Sequence, residues 1–214
     1  MIKTFNDIEI LYTESDLEYI EDVYNYFKDK YQEIMNFFSL EKLDKKLTIK
    51  FWNSKEEFRN FLYDLTGYEE PDWVVGKSIS TREMFRVDIL SLEERRKCNG
   101  HNNDSITHIK KVIVHEFVHT CHTIYKDYKI SPMWFNEFLA TYLAKQYDPD
   151  KLVLDFSLDD IMNGKAYYNN YFSMGVYLIK TKGVDYVLDL AKNPYKIDTK
   201  TIYEETLDYI KKNK

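Results

Sequence analysis

The segment from Lys110 to His122 constrains this chain more than any other, because it places His115, Glu116 and His119 in an apolar run of helix length. On a helix, residues four apart lie on one face about one turn from each other, so both imidazoles can reach one metal ion. Glu116 lies about 100° further round the helix, where it cannot be a ligand but can reach a metal-bound water. The spacing therefore predicts a zinc site.

The same spacing is compatible with a buried structural helix that binds no metal. Five apolar residues predict that most of this helix is buried: Val112, Ile113, Val114, Phe117 and Val118. Burying two histidines and a glutamate without partners costs roughly 1 to 3 kcal/mol for each unsatisfied group. A bound metal supplies the missing partner, which favours the zinc interpretation.

A zinc ion that catalyses hydrolysis needs a third protein ligand and one open coordination position. The sequence offers His108, His122, Glu137 and acids further along the chain. His108 and His122 each lie seven residues from His115, about 10.5 Å along the helix axis, which is too far for convergence on one ion. Glu137 falls in the second turn of a separate predicted helix with Ser131 as its N-cap. A second helix can bring this carboxylate to the metal.

Two motifs together carry a family resemblance. The first is His115-Glu116-Phe117-Val118-His119, and the second is Trp134-Phe135-Asn136-Glu137-Phe138-Leu139-Ala140. This pair resembles the gluzincin metallopeptidases, which include thermolysin, the aminopeptidase N group and compact bacterial domains. In that family a His-Glu-x-x-His helix is followed by Trp-x-x-Glu-Gly-x-Ala on a second helix. The chain departs from the pattern at Phe138, where the family has glycine, and this predicts altered helix packing or a narrower site.

The resemblance implies a zinc-dependent peptidase with one Zn²⁺ per chain, whose three ligands are His115, His119 and Glu137. Peptides or proteins are then the substrates, and Glu116 is the general base that takes a proton from the metal-activated water. A tyrosine on a later helix stabilises the oxyanion, and Tyr171 and Tyr168 are the candidates by position. The resemblance also implies that a strand within residues 73–90 pairs with an extended peptide.

The order of periodic segments and capping residues predicts an α+β fold, which the resemblance makes zincin-like: a mixed twisted sheet with helices, the metal helix, and a helical C-terminal lobe. The predicted strands are 8–12, 47–52, 73–80 and 84–90. The predicted helices are 15–38, 54–67, the metal helix, 132–147, a short turn after Ser157, 167–182, 184–192 and 201–212. Residues 1–123 form an α/β lobe ending in the metal helix, and residues 124–214 form the helical lobe of one compact catalytic unit.

Composition excludes several classes of partner. The net charge of -6, with basic residues dispersed among acids, gives no footprint for nucleic acid. No apolar run approaches the length of a membrane span, and the first ten residues lack the apolar centre of a signal peptide. The two cysteines fit a reducing compartment, so the sequence predicts a cytoplasmic protein without a membrane partner. Nothing in the sequence predicts the oligomeric state.

Two alternatives remain open in the sequence. The chain can be a non-catalytic zincin-fold module that binds or supports a partner, which Phe138 favours and Glu116 disfavours. Cys98-x-x-His101 and Cys121-His122 can also be combined into a second metal site, although their spacing is not a standard one.

Overall fold

The computed structural model describes residues 1–6, 8–81, 83–125 and 130–213. In these ranges the chain is an α+β protein with a mixed five-stranded sheet. The strands are β1 (Ile2–Phe5), β2 (Ile8–Leu11), β3 (Leu47–Trp52), β4 (Gly76–Ser80) and β5 (Phe85–Leu90). The helices are α1 (Ile20–Phe37), α2 (Lys55–Thr66), α3 (Leu92–Arg95), α4 (Ile106–Tyr125), α5 (Met133–Leu143), α6 (Leu158–Met162), α7 (Tyr168–Lys182), α8 (Val184–Lys192) and α9 (Thr199–Lys212).

The strand order in the sheet is β1-β2-β3-β5-β4. The three central strands β2, β3 and β5 are parallel to one another, and the two outer strands β1 and β4 each pair antiparallel with their neighbour. Helix α1 connects β2 to β3, as a crossover between parallel strands requires. Strand β4 therefore forms one edge of the sheet.

Helix α2 forms where its capping residues predict it. The Ser54 hydroxyl accepts a hydrogen bond from the Glu57 N–H, and Gly67 ends the helix with φ of 77°, in the left-handed region where glycine carries no Cβ penalty. Strand β3 also matches its prediction, because buried and half-buried residues alternate over its six positions. Local sequence is sufficient for both elements.

The start of α1 differs from the prediction. A helix was expected from Ser15, whereas a 3-10 turn occupies Glu14–Asp16 and α1 begins at Ile20. The cause is the buried Asp16 carboxylate, which accepts a hydrogen bond of 2.8 Å from the Thr13 N–H and another from the Tyr19 hydroxyl. Strand β1 was not predicted at all. Its residues are half-buried or exposed, so the sequence carries no clear alternation of polar and apolar positions.

The chain divides into two compact units, Met1–Thr120 and Cys121–Lys214, with the division inside α4. In the first unit, α1 packs against α4 through aromatic rings: Phe117 lies 5.2 Å from Phe27 and 5.4 Å from Tyr31, centroid to centroid. The buried faces of β3 and β5 complete this core. The core holds α4 in the first unit by contacts on the face of Phe117.

In the second unit, α7 is the central helix and packs against α5, α8 and α9. The contact between α5 and α7 is close at one point. A Cβ atom added to Gly175 would lie 1.9 Å from the Phe138 ring, so only glycine fits there. No helix in the described ranges combines the length and apolar character that crossing a membrane requires.

Candidate metal centre

His115 and His119 lie on consecutive turns of α4 with their rings directed at each other. Their Nε2 atoms are 3.1 Å apart, and the ring planes meet at 82°. His115 is buried, with 5 % of its surface exposed. Two nitrogen ligands bound to one tetrahedral zinc at about 2.0 to 2.1 Å are separated by about 3.3 Å. The observed nitrogen separation therefore fits a shared metal ion.

The third member of the cluster is Glu137 on α5. One ligand atom from each of His115, His119 and Glu137 lies within 4.8 Å of the other two. This is the donor set of two imidazoles and one carboxylate that hydrolytic zinc sites use. The chemistry of these donors suits a divalent metal ion such as zinc.

Helix α5 begins one residue later than predicted. Pro132 was expected as its first residue, but Pro132 has ψ of 141° and acts as the N-cap, with Met133 as the first helical residue. Its carbonyl accepts from the N–H groups of Phe135 and Asn136. Glu137 therefore lies in the second turn, as predicted, since the shift is only one residue. The helix also ends early, at Leu143 rather than near residue 147.

Glu116 lies on the same helix as the histidines and is 9 % exposed. It adjoins the edge strand, because a Cβ atom added to Gly76 in β4 would be 3.5 Å from the Glu116 Cγ and 2.7 Å from the Val112 Cγ1. The charge of Glu116 also acts on Lys77. Burial lowers the pKa of Lys77, but its ion pair with Glu70 and the negative charge of Glu116 together raise it above its ordinary value. Glu116 is a buried carboxylate beside a strand edge and near a cation.

The two predicted tyrosines lie on the first turns of α7 with ring centroids 6.1 Å apart. Tyr171 is fully buried, and Tyr168 is half-buried. Burial raises the pKa of Tyr171; the Ala166 N–H opposes this, and the negative charge of Glu137 adds to it. Tyr171 is thus within electrostatic reach of the Glu137 carboxylate, while the role of either tyrosine at an oxyanion stays a prediction.

Tyr147 is a residue that the sequence reasoning missed. Burial and the negative charge of Glu137 both raise the pKa of its hydroxyl, so this phenol also lies near the carboxylate. Its ring packs on Phe172 with centroids 5.4 Å apart. A positive φ of 52° at Lys145, just after α5, turns the chain there. The sequence signal is weak, because Tyr147 belongs to neither motif.

The other two histidines considered as ligands occupy different positions. His108 is about half exposed, and its Nδ1 accepts from the Ser105 N–H at the start of α4. His122 is fully buried in the second unit, 6.4 Å from the Phe135 ring. Neither belongs to the group of three metal-binding side chains found in the described residues. Both histidines lie seven residues from His115, about 10.5 Å along the helix axis, which is too far to share one metal ion with it.

Phe138 is a core residue of the second unit. It is fully buried, its ring centroid lies 5.9 Å from that of Phe135 and 5.8 Å from that of Tyr142, and it covers the Cα of Gly175. The glycine missing from α5 is therefore matched by a glycine on α7, which makes room for the larger ring. The packing of α5 on α7 therefore accommodates a phenylalanine at position 138.

The possible second metal site does not form. Cys98 is buried with its thiol directed at the Glu94 carbonyl, and His101 contacts Asp104 and Trp73 instead. Across the ranges that the structure describes, no group of three metal-binding side chains contains Cys98 or His101.

Comparison with known proteins identifies no relative: no family model, no curated protein and no solved structure matches this chain.

Proposed function

We propose that this chain is a zinc-dependent peptidase of zincin-like fold, with one zinc ion held by His115, His119 and Glu137. The observation that carries the proposal is the convergence of these three ligand atoms within 4.8 Å. Glu116, which follows His115 in α4, is the general base in this proposal. Two imidazoles and one carboxylate leave one position open for water, as catalytic zinc sites do. Zinc bound there would supply a Lewis acid and an acidified water molecule.

A simple hydrogen bond between the two imidazoles is the alternative explanation for their approach. One neutral ring can donate its Nε2–H to the Nε2 of the other at 3.1 Å. Such a pair gives no reason for a third metal-binding group at the same point. The presence of Glu137 within 4.8 Å favours a cation as the shared partner of all three side chains.

Glu116 supplies the proton transfer in this proposal. Its carboxylate accepts a proton from the attacking water and then donates it to the nitrogen of the leaving amine. The Glu116 side chain is next to the edge strand, since its Cγ lies 3.5 Å from the position that a Cβ on Gly76 would occupy.

The free edge of β4 is suited to bind an extended peptide. The Leu90 N–H donates to the Val75 carbonyl and the Thr81 N–H donates to the Met84 carbonyl, both at 3.0 Å. In an antiparallel pair, hydrogen-bonded residues alternate with residues whose N–H and C=O groups point away from the neighbour. In the register of β4 with β5, the outward-pointing residue nearest to Glu116 is therefore Gly76.

The backbone N–H and C=O groups of Ser78 and Ser80 also point away from β5. Together with Gly76, three residues of β4 can therefore pair with a substrate strand. Such a strand would lie beside Gly76, whose missing Cβ allows Val112 and Glu116 of α4 to approach β4 closely. This arrangement favours a peptide over a small-molecule substrate. The phenol of Tyr171 or Tyr168 would then donate to the oxyanion, as the family resemblance implies.

The non-catalytic module is the second function considered. The sequence feature that favoured a non-catalytic module was Phe138, which was expected to alter helix packing or narrow the site. The ring instead fills the space above Gly175 and is fully buried. Peptidase activity is therefore the better proposal.

The test is reversible metal dependence. The purified chain should carry about one zinc, and a chelator should abolish hydrolysis of a mixed peptide library that added zinc restores. For variants that remove a carboxylate, the control is Glu204→Gln on α9, because the Glu204 side chain is exposed. Absence of zinc uptake would overturn the metal site, and uptake without hydrolysis would favour the non-catalytic module.

A further inference from the structure

In the segment before β4, three successive backbone carbonyls, those of Asp72, Trp73 and Val74, contact the side chains of Arg59 or His101. Arg59 donates from one nitrogen, Nη2, to the carbonyls of Asp72 at 2.8 Å and Val74 at 2.7 Å. The carbonyl between them, that of Trp73, lies 2.9 Å from the Nε2 of His101. Gly76 follows two residues after Val74. The first residue of the edge strand is thus placed by contacts made just before it.

His101 uses both ring nitrogens. Its Nδ1 lies 2.9 Å from the Asp104 Oδ2, and its Nε2 lies 2.9 Å from the Trp73 carbonyl oxygen. A carboxylate and a carbonyl can only accept, so both nitrogens must carry hydrogen to satisfy both partners. A neutral ring would point a lone pair at one of the two oxygens. Both contacts are hydrogen bonds at the same time only when both nitrogens carry hydrogen.

Asp104, the first partner of His101, also binds two arginines. Burial raises the pKa of Asp104, but Arg95 and His101 together hold it below its usual range, so the carboxylate remains an acceptor. The Arg95 guanidinium binds the same Oδ2 through two nitrogens and is 1 % exposed. Arg96 donates to the Asp104 carbonyl, and the Nδ1 of His108 lies 3.9 Å from the Asp104 Oδ1.

One further charge faces this region from the Trp73 side. The Asp72 carboxylate accepts from the Asn99 N–H and forms an ion pair with Lys55. Asp72 and Asp104 thus each contact the loop that carries His101, and each is paired with a lysine or an arginine. Each carboxylate already has a cation, so the contribution of His101 is the connection it makes and not the neutralisation of a free acid.

Asp104 lies two residues before α4, whose first backbone hydrogen bonds are accepted by the Ser105 carbonyl. His101 therefore connects the beginning of the helix that carries Glu116 with the segment that begins the strand edge at Gly76. We propose that His101 is a positioning residue: its ring joins Asp104 to the Trp73 carbonyl and so fixes the free edge of β4 relative to Glu116. This inference rests on the peptidase function proposed above.

Loss of the contacts made by His101 should affect substrate binding more than the chemical step. Loss of the bridge releases one carbonyl of the segment before β4 while leaving the three metal-binding side chains and Glu116 unchanged. Substrate pairing with the strand edge should weaken, so that KM rises roughly three- to tenfold, the usual range for one hydrogen bond. The kcat for bound peptide should stay within about twofold of the parent value.

The experiment compares His101→Gln with His108→Gln, its matched control on the same stretch of chain. Amide hydrogen exchange of Lys77 and Ile79, whose N–H groups bond to β5, should be roughly three- to tenfold faster in His101→Gln and unchanged in His108→Gln. His101→Arg, which can donate from two ends, should recover most of the parent KM.

Unchanged exchange at Lys77 and Ile79 in His101→Gln would overturn the bridge. Faster exchange with an unchanged KM would overturn the positioning role, since the bridge would then be only structural. If the parent hydrolyses no peptide, the peptidase proposal fails, and the exchange rates still decide whether His101 holds the strand. The two proposals can therefore fail separately.

Discussion

In the first unit, His101 and the pair formed by His115 and His119 use the imidazole side chain in opposite ways. His101 faces two oxygen acceptors, which it satisfies together only by donating from both nitrogens. His115 and His119 face each other through Nε2, with a carboxylate of Glu137 nearby, so at least two lone pairs point into one space. The first arrangement needs two ring donors, whereas the second is suited to a metal ion. The partners of a histidine, more than its burial, decide which chemistry it performs.

The largest effect should come from Glu116→Gln, which changes the candidate metal centre and leaves the contacts of His101 intact. The substitution removes the proton acceptor but not a ligand, so hydrolysis should fall by about 10²- to 10⁴-fold while zinc content stays the same. Single-turnover kinetics and metal analysis on the same sample would measure both. Loss of zinc would mean that Glu116 supports the metal directly, and unchanged hydrolysis would place the activity elsewhere.

The second prediction tests which carboxylate or imidazole completes the metal group. Glu137→Ala should weaken zinc binding by at least about 100-fold, because two ligands remain of three. His122→Ala should change zinc affinity by less than about threefold, since His122 is outside the group of three. Competition with a coloured chelator would measure both affinities. The reverse order would show that His122 is the third ligand.

The third prediction concerns the group around His101 and should leave zinc unaffected. Asp104→Asn removes the charge that Arg95 and His101 share, and it should lower the free energy of unfolding by about 3 kcal/mol, as loss of one member of a buried ion pair does. Because the pKa of Asp104 is lowered in the folded protein, its stabilisation is complete above the unfolded value of about 3.9 and decreases as pH falls below it.

Urea unfolding of Asp104→Asn and of the parent at neutral pH and near pH 3 would test this. The difference in unfolding free energy should be largest at neutral pH and smaller near pH 3. A difference that grows towards acid would contradict the lowered pKa. Loss of zinc in Asp104→Asn would show that the two histidine groups are not independent.

Local sequence signals predicted much of the fold. Ser54 and Gly67 define α2, and the alternation of residues 47–52 defines β3, because capping bonds and alternating burial act between near neighbours. The beginning of α1 could not be predicted, since the Asp16 carboxylate is held partly by Tyr19 and by Asn53 from a distant segment. Strand β1 lacks a buried face, so only its pairing with β2 defines it.

The candidate site divides in the same way. The spacing of His115, Glu116 and His119 is set by one helix and was readable directly from the sequence. The proposal of Glu137 needed a second motif, and its proximity to the histidines depends on tertiary structure. Tyr147 was missed because its relation to Glu137 arises only from folding of the chain after α5.

The sequence by itself determined the helix with its pair of imidazoles and its carboxylate, because those positions are fixed by a repeat of 3.6 residues. Only the tertiary structure decided what Phe138 and His101 do. Phe138 became a core residue because Gly175, thirty-seven positions away, leaves room for its ring. His101, which its spacing from Cys98 suggested as a metal ligand, became a bridge because two acceptors, Asp104 and the Trp73 carbonyl, face its two nitrogens. Such roles depend on atoms that folding brings together from distant positions, and no local period encodes them.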